Sequence, residues 1–183
     1  APGRELHIPD EVTEADGTRR RLSNQRQGTI EFWVRRMWDD RLAPVSRPLL
    51  LSAGSLSVSA QREMPLDEWC HVAVAWHPLP GDAERSLAHV YVDGRDHAFY
   101  RSLYWEGYAK PPMFSTAQAW LKEFVAKATP GVMFAIDDLR ISTAPRYVDV
   151  SLDFGRQQTF NPNAFEPPAQ PADRDDSTVL LFS

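Results

Sequence analysis

Cys70-His71-Val72-Ala73-Val74-Ala75-Trp76-His77 is the stretch from which the fold is read. In an extended chain successive side chains point to opposite faces. Cys70, Val72, Val74 and Trp76 therefore share one side, and His71, Ala73, Ala75 and His77 the other. The first set predicts a core face. It also places the lone cysteine among apolar neighbours, with no basic residue or helix N-terminus beside it to activate the thiol.

Working outward, Thr29-Ile30-Glu31-Phe32-Trp33-Val34-Arg35 is rich in β-branched and aromatic residues, with Ile30, Phe32 and Val34 on one face. Ser55 to Ala60 alternates serine with Leu56 and Val58. Leu87 to Val92 leads into Asp93-Gly94, a two-residue hairpin signal, so Asp96 to Tyr100 is expected to return as a strand. Ala135 to Ile141 and Thr178 to Phe182 are two further strand candidates. Arg19-Arg20-Arg21 reads as a solvated turn.

One segment carries a helical pattern. Ser115 and Gln118 form a capping box, and Ala117, Trp120, Leu121, Phe124, Val125 and Ala128 recur at helical spacing before Pro130-Gly131. A helix over 115–128 is expected, covering a sheet edge or face. From 145 to 177 the chain turns polar and proline-rich, with Phe154, Phe160 and Phe165 widely spaced. That composition fits an irregular strap that pins aromatic anchors onto a sheet, followed by a closing strand at 178–183. Many short strands with frequent turns predict an all-β, antiparallel sandwich.

The chain has 183 residues, 43% of them hydrophobic, which suits a single domain over 1–183 with its own core. Its net charge of −5 argues against nucleic acid as a partner, since such binding starts from clustered positive charge. With one cysteine it has no internal disulfide, and only Lys110, Lys122 and Lys127 among twenty basic residues are lysine, a bias without functional weight. The longest apolar run, near Pro48 to Ala53, is too short to form a transmembrane segment. No charged-then-apolar leader precedes Ala1, which fits a processed form, a cytosolic protein or an excised domain alike.

Several strings resemble one family. Gly28-Thr29-Ile30-Glu31-Phe32-Trp33-Val34 looks like the opening strand of the concanavalin A-like, laminin-G-like jelly rolls. Glu68-Trp69-Cys70-His71-Val72-Ala73-Val74-Ala75-Trp76 resembles their W-x-H-V-A-x-x-W strand, and Val90-Tyr91-Val92-Asp93-Gly94-Arg95 their Y-V-D-G hairpin. Ala135-Ile136-Asp137-Asp138-Leu139-Arg140-Ile141-Ser142 is similar to their I-D-[DE]-[VL]-R-I strand. Arg146-Tyr147, Phe165-x-Pro167 and the run from Asp176 to Phe182 resemble the closing strap and strand of bacterial members. These matches run in order from about residue 28 to 183. Cys70 departs from the aromatic or histidine common at its position, and the stretch from Tyr100 to Pro130 resembles an insertion. The resemblance implies a two-sheet concanavalin A-like jelly-roll sandwich in an extracytoplasmic setting, secreted, periplasmic or on the cell surface. It leaves function open, because such sandwiches serve as lectins, hydrolases, adhesion modules and spacers.

Hydrolases of this superfamily carry a clustered E-x-D-x-x-E strand. Here the acidic residues come as Asp39-Asp40, Asp67-Glu68, Asp137-Asp138 and Asp173 to Asp176, and neighbours on a strand point apart. No catalytic residue is assigned. By parity Asp137 shares a face with Leu139 and Ile141, so it is expected to point inward, where it needs a partner. A structural calcium, implied by the resemblance, is one reading, and hydrogen bonds from a loop or an arginine are the other. His7, His71, His77, His89 and His97 lack zinc-site spacing. The segment Tyr100 to Tyr108 packs four aromatics into nine residues. Tyr104, Trp105 and Tyr108 offer ring faces to a sugar, with Arg101 and Glu106 placed to read hydroxyls. The same set suits a protein interface, or a cover for the inserted helix. The function expected from all this is a non-catalytic recognition module binding glycan or a neighbouring protein. The alternative is a structural subunit or spacer of a larger assembly with no small ligand, and a glycoside hydrolase is the third reading.

Overall fold

The computed structural model describes residues 5–24, 26–38, 49–53, 56–59, 64–79, 82–96, 113–115, 123–127, 133–148, 165–169 and 175–182. Their regular structure is entirely β. The strands in chain order are β1 (Glu5–Pro9), β2 (Glu11–Thr13), β3 (Arg19–Arg21), β4 (Gly28–Arg36), β5 (Leu49–Ala53), β6 (Leu56–Ser59), β7 (Trp69–Leu79), β8 (Asp82–Val92), β9 (Arg95–Asp96), β10 (Met113–Ser115), β11 (Glu123–Lys127), β12 (Phe134–Ser142) and β13 (Thr178–Phe182).

They form three sheets, all of antiparallel pairs. The largest has seven strands in the order β10-β8-β7-β4-β12-β13, with β9 also on β8. A four-stranded sheet runs β1-β11-β5-β6, and β2 pairs with β3 in a small ribbon. The central pairings join segments distant in sequence, since β4 lies between β7 and β12.

One face of the seven-stranded sheet is apolar. Ile30, Phe32 and Val34 of β4, Cys70, Val72, Val74 and Trp76 of β7, Ala88, Val90 and Val92 of β8, and Leu139 and Ile141 of β12 form one buried cluster, with Trp38 and Met64 at its end. The two faces expected of the Cys70 to His77 alternation are the two faces observed. Ile8 of β1 packs against this cluster, so the four-stranded sheet contributes to the same core. The glycine that opens β4 is fixed by crowding. A Cβ on Gly28 would stand 2.5 Å from the Trp76 ring and 2.7 Å from the Ser142 carbonyl. The Trp76 indole so accommodated donates to the Asn24 carbonyl at 2.8 Å.

The Asp93-Gly94 turn closes as expected, with both residues at positive φ, 47° and 71°, and Val92 opposite Arg95. The returning strand is described only for Arg95–Asp96, and the rest of that expectation, 97–100, lies outside the described residues.

Three expectations are corrected. Where the helix over 115–128 was expected, the described residues, Ser115 and Glu123–Lys127, are in strands, and 116–122 and 128 lie outside the described residues. Ser115, its expected cap, lies on β10 and pairs with Arg85 of β8, and Glu123–Lys127 is an inner strand held by β1 on one side and β5 on the other. Five register pairs to β1 satisfy this backbone. Long-range pairing of a segment containing Phe124 and Val125 outweighs a local helical spacing. Arg19-Arg20-Arg21 is a strand, not a turn. All three residues are exposed and pair across to Glu11, Val12 and Thr13. The ribbon balances its charge locally, with Arg19 on Glu11 at 3.3 Å and Arg20 on Glu14 at 2.8 Å. Third, Asp137 does not point inward.

The cause of that third correction is a β-bulge. Asp137 is opposite Trp33 but Arg140 is opposite Glu31, so β12 holds one extra residue between them. Asp138 takes it up at φ 49°, and its N–H donates to Asp137 Oδ1 at 3.0 Å. Aspartate tolerates this left-handed conformation better than most residues. Phe134 and Ile136 therefore face the core before the bulge and Leu139 and Ile141 after it, while Asp137 is exposed on the opposite face.

Candidate functional site

The second face of the seven-stranded sheet carries the side chains that alternate with the core: Thr29, Glu31, Trp33 and Arg35 on β4, Trp69, His71, Ala73, Ala75 and His77 on β7, and Asp137, Arg140 and Ser142 on β12. Alternation alone would leave this face to solvent, yet Glu31 is 1% exposed and His71 1%. The strap covers it. Ala73, Ala75 and Tyr91 form a second buried cluster against Tyr147, Val148 and Phe165. Of the three expected anchors, Phe165 is seen in place, and Phe154 and Phe160 lie outside the described residues.

Glu31 is the centre of the covered region. Its Oε1 accepts from Arg140 Nε at 2.6 Å. Its Oε2 accepts from the Tyr147 hydroxyl at 2.6 Å and lies 3.2 Å from His71 Nε2. A carboxylate only accepts, so His71 Nε2 carries the proton. Arg146 stands 3.9 Å from Oε1 as a second cation. Burial by itself would raise the Glu31 carboxyl pKa. Hydrogen bonds from His71 and Tyr147 and the charge of Arg140 outweigh burial and hold it below its ordinary value. Burial, followed by the Glu31 charge, pushes the Tyr147 hydroxyl above its ordinary range.

Arg146 ties the strap to the closing strand. Its backbone N–H donates to Thr29 Oγ1 at 2.7 Å, and Thr29 in turn donates to the Ala144 carbonyl at 2.8 Å. Its guanidinium reaches Ser142, Ser177 and Asp175. Asp175 also accepts from the Ser177 N–H and from the hydroxyls of Ser177 and Thr178. Arg146 first, with Ser177 and Thr178, holds the Asp175 carboxyl far below the usual range.

Tyr147 adopts φ 66°, an uncommon conformation for a bulky residue. Its surroundings over-determine it. The ring stacks on Phe165 with centroids 3.8 Å apart, its hydroxyl is on Glu31, and its carbonyl accepts from Tyr91 at 3.3 Å. Phe165 N–H donates to the Gly94 carbonyl at 2.9 Å, and a Cβ on Gly94 would fall 1.6 Å from the Phe165 oxygen. The Asp93-Gly94 hairpin is thus also the seat of the strap. His71 is linked to it through paired bonds with Asp93, each 2.8 Å.

Beyond the strap this face opens to water. Trp33 is half-buried and meets His71 edge-on at 5.3 Å. Trp69 is 41% exposed, with the Arg35 guanidinium 5.4 Å from its ring centroid. Arg35 lies 3.6 Å from Asp67, whose side chain is 72% exposed. Exposed Asp137 completes the row across from Trp33.

The residues chosen from sequence fare unequally. Arg101, Tyr104, Trp105, Glu106 and Tyr108 lie outside the described residues. Asp137, chosen as an inward ligand, is exposed, and its Oδ1 is engaged by Asp138. Calcium takes six to eight oxygen ligands. Among the described residues no group of three His, Cys, Asp or Glu could hold a metal ion, so those around Asp137 do not make such a site. Cys70 is buried in the core as expected. Burial, with Asp93 and Glu68 adding to it, pushes its thiol pKa up to about 12. The Glu31 cluster was not foreseen, although the signal was present. Glu31 and Arg140 each interrupt an apolar strand, and His71 lies on the matching parity of β7. What spacing does not convey is that β7, β4 and β12 are neighbours. No family model, no curated protein and no solved structure matches this chain.

Proposed function

We propose that the chain is a non-catalytic recognition module, built as a concanavalin A-like jelly-roll sandwich and working outside the cytoplasm, that binds a glycan or a neighbouring protein through preorganised surface contacts. The observation that carries this reading is the state of Glu31. Cationic and hydroxyl groups converge on this acid, and it is buried with both oxygens engaged. The bonds it makes hold the strap, and a group so occupied has no access to a substrate. That supports a rigid scaffold whose activity lies in surface contacts.

The test is a glycan array read alongside affinity copurification, with wild type and Trp105→Ala. Reproducible binding to either class supports recognition. Equal signal from the two proteins removes the Tyr104, Trp105 and Tyr108 loop from the contact surface. Turnover of a bound glycan would overturn the non-catalytic reading.

A second reading, a structural subunit of a larger assembly, is favoured by one observation. Met37, Leu66, Trp69 and Met133 are 40%, 48%, 41% and 62% exposed, and they lie at the same end of the seven-stranded sheet. Met37 N–H donates to the Met133 carbonyl there. Stoichiometric copurification with partner chains and no glycan signal would select this reading.

A further inference from the structure

We propose that the open end of the strap-bearing face is a carbohydrate platform, in which Trp33 and Trp69, with Arg35, Asp67 and Asp137, take an uncharged sugar unit of a glycan. This rests on the recognition reading and moves its contact surface from the loop to the sheet.

The register fixes the layout. Trp33 on β4 lies between His71 on β7 and Asp137 on β12, and one step along, Arg35 lies between Trp69 and Ala135. The two tryptophans are therefore diagonal neighbours on adjacent strands, their backbone positions about 7–8 Å apart. That separation suits one or two sugar rings. The small Ala135 side chain leaves room beside Arg35. The positions are set by ladder hydrogen bonds of the central strands, so little ordering remains to be done when a ligand arrives.

The polar groups are of the right kind and are only partly committed: Asp137 Oδ1 accepts from the Asp138 N–H, and Asp67 faces Arg35 at 3.6 Å. Among the described residues the Arg35 guanidinium donates no hydrogen bond. Its contacts are the 3.6 Å ion pair to Asp67 and the Trp69 ring, and its Nε is buried without a hydrogen-bond partner. A guanidinium offers N–H donors in a planar fork, and exposed carboxylates offer acceptors. A hydroxyl-rich ring with apolar C–H faces answers both the donors and the indoles.

Charge selects the class further. Arg35 and Asp67 offset each other and Asp137 remains, so the patch is net negative. Uronic or sulfated glycans would be repelled and neutral ones admitted. Protein interfaces are enriched in Trp and Arg but depleted in Asp and Glu, so it is Asp67 and Asp137 beside the rings that favour a glycan over a protein partner here.

The experiment follows the indole N–H resonances of the six tryptophans, assigned with Trp33→Phe and Trp69→Phe. Cellohexaose, xylohexaose and mannohexaose are titrated, with an oligogalacturonate as the acidic counterpart. The expected result is that the Trp33 and Trp69 signals move with at least one neutral oligosaccharide and not with the acidic one. Trp69→Ala should abolish binding, Arg35→Gln should weaken it about tenfold, and Trp105→Ala should leave it unchanged. Melting curves identify any variant that fails to fold, and the wild-type shifts with Arg35→Gln then decide. Loss of binding in Trp105→Ala with Trp69→Ala unaffected overturns the platform and keeps the recognition reading on its loop. Preference for the acidic oligomer overturns the platform as drawn. No response to any neutral oligosaccharide overturns it outright, and copurification of a protein partner would then leave recognition standing in its protein form.

Discussion

The two faces of the seven-stranded sheet are built from the same strands but are stabilised in different ways. On one face Ile30, Phe32, Val72, Val74 and Ile141 are buried against one another by non-directional apolar contact. On the other, Glu31 is equally buried but is held by directional bonds to Arg140, Tyr147 and His71. The lesson is one of tolerance. An apolar face can lose a methylene and partly collapse, whereas a buried ion pair that loses one member leaves the other charge unpaired.

The largest expected effect tests that asymmetry directly. Glu31→Ala, which strands Arg140, should destabilise by about 3–5 kcal/mol in urea denaturation. A cost below that of Ile141→Val would mean that the polar face is not a lock. Tyr147→Phe keeps the ring stacked on Phe165 and removes only the hydroxyl donor, so about 1.5–3 kcal/mol is expected, as for a hydrogen bond to a charged group. Gly94→Ala strains a positive φ and drives a methyl group into the Phe165 backbone. A loss of about 1–3 kcal/mol is expected, with faster limited proteolysis in the strap than in β7. Unchanged strap protection would break the link between hairpin and strap. Ile141→Val on the apolar face should cost about 0.5–1.5 kcal/mol. Arg20→Ala in the exposed ribbon should cost about 1 kcal/mol or less.

Acid should separate the two faces without mutation. The folded Glu31 carboxyl titrates below its ordinary value of 4.5. Its contribution is therefore complete above that pH and is lost as pH falls through the folded pKa. The apolar face has no such dependence. Denaturation midpoints should hold down to about pH 4.5 and then fall, and Tyr147→Phe should bring the fall to higher pH, since it removes a bond that lowers the Glu31 pKa. A midpoint flat into strong acid would show that Glu31 carries no net stabilisation.

Much of the fold was legible from residue order. The alternation of Cys70 to His77, the β-rich run from Thr29 to Arg35 and the Asp93-Gly94 turn each encode their structure within a few residues. The 123–127 segment was misread because its apolar spacing suits a helix, while the strands that capture it, β1 and β5, are far away in sequence. Asp137 was misplaced because parity is carried along a strand only until a bulge resets it, and the left-handed turn at Asp138 does so one residue later. The Glu31 cluster and the Trp33–Trp69 row were hidden for a third reason. Each is assembled across neighbouring strands, and adjacency is a property of the sheet.

By itself the sequence determined which segments extend, which of their sides is apolar and where the Asp93-Gly94 hairpin turns, because those choices rest on side-chain shape and two-residue periodicity. Only the tertiary structure decided that the polar side of β4 is buried beneath a strap, that Asp137 faces water, and that two tryptophans flank one arginine. Strand order and the bulge bring those groups together, and neither is encoded within any single stretch of chain.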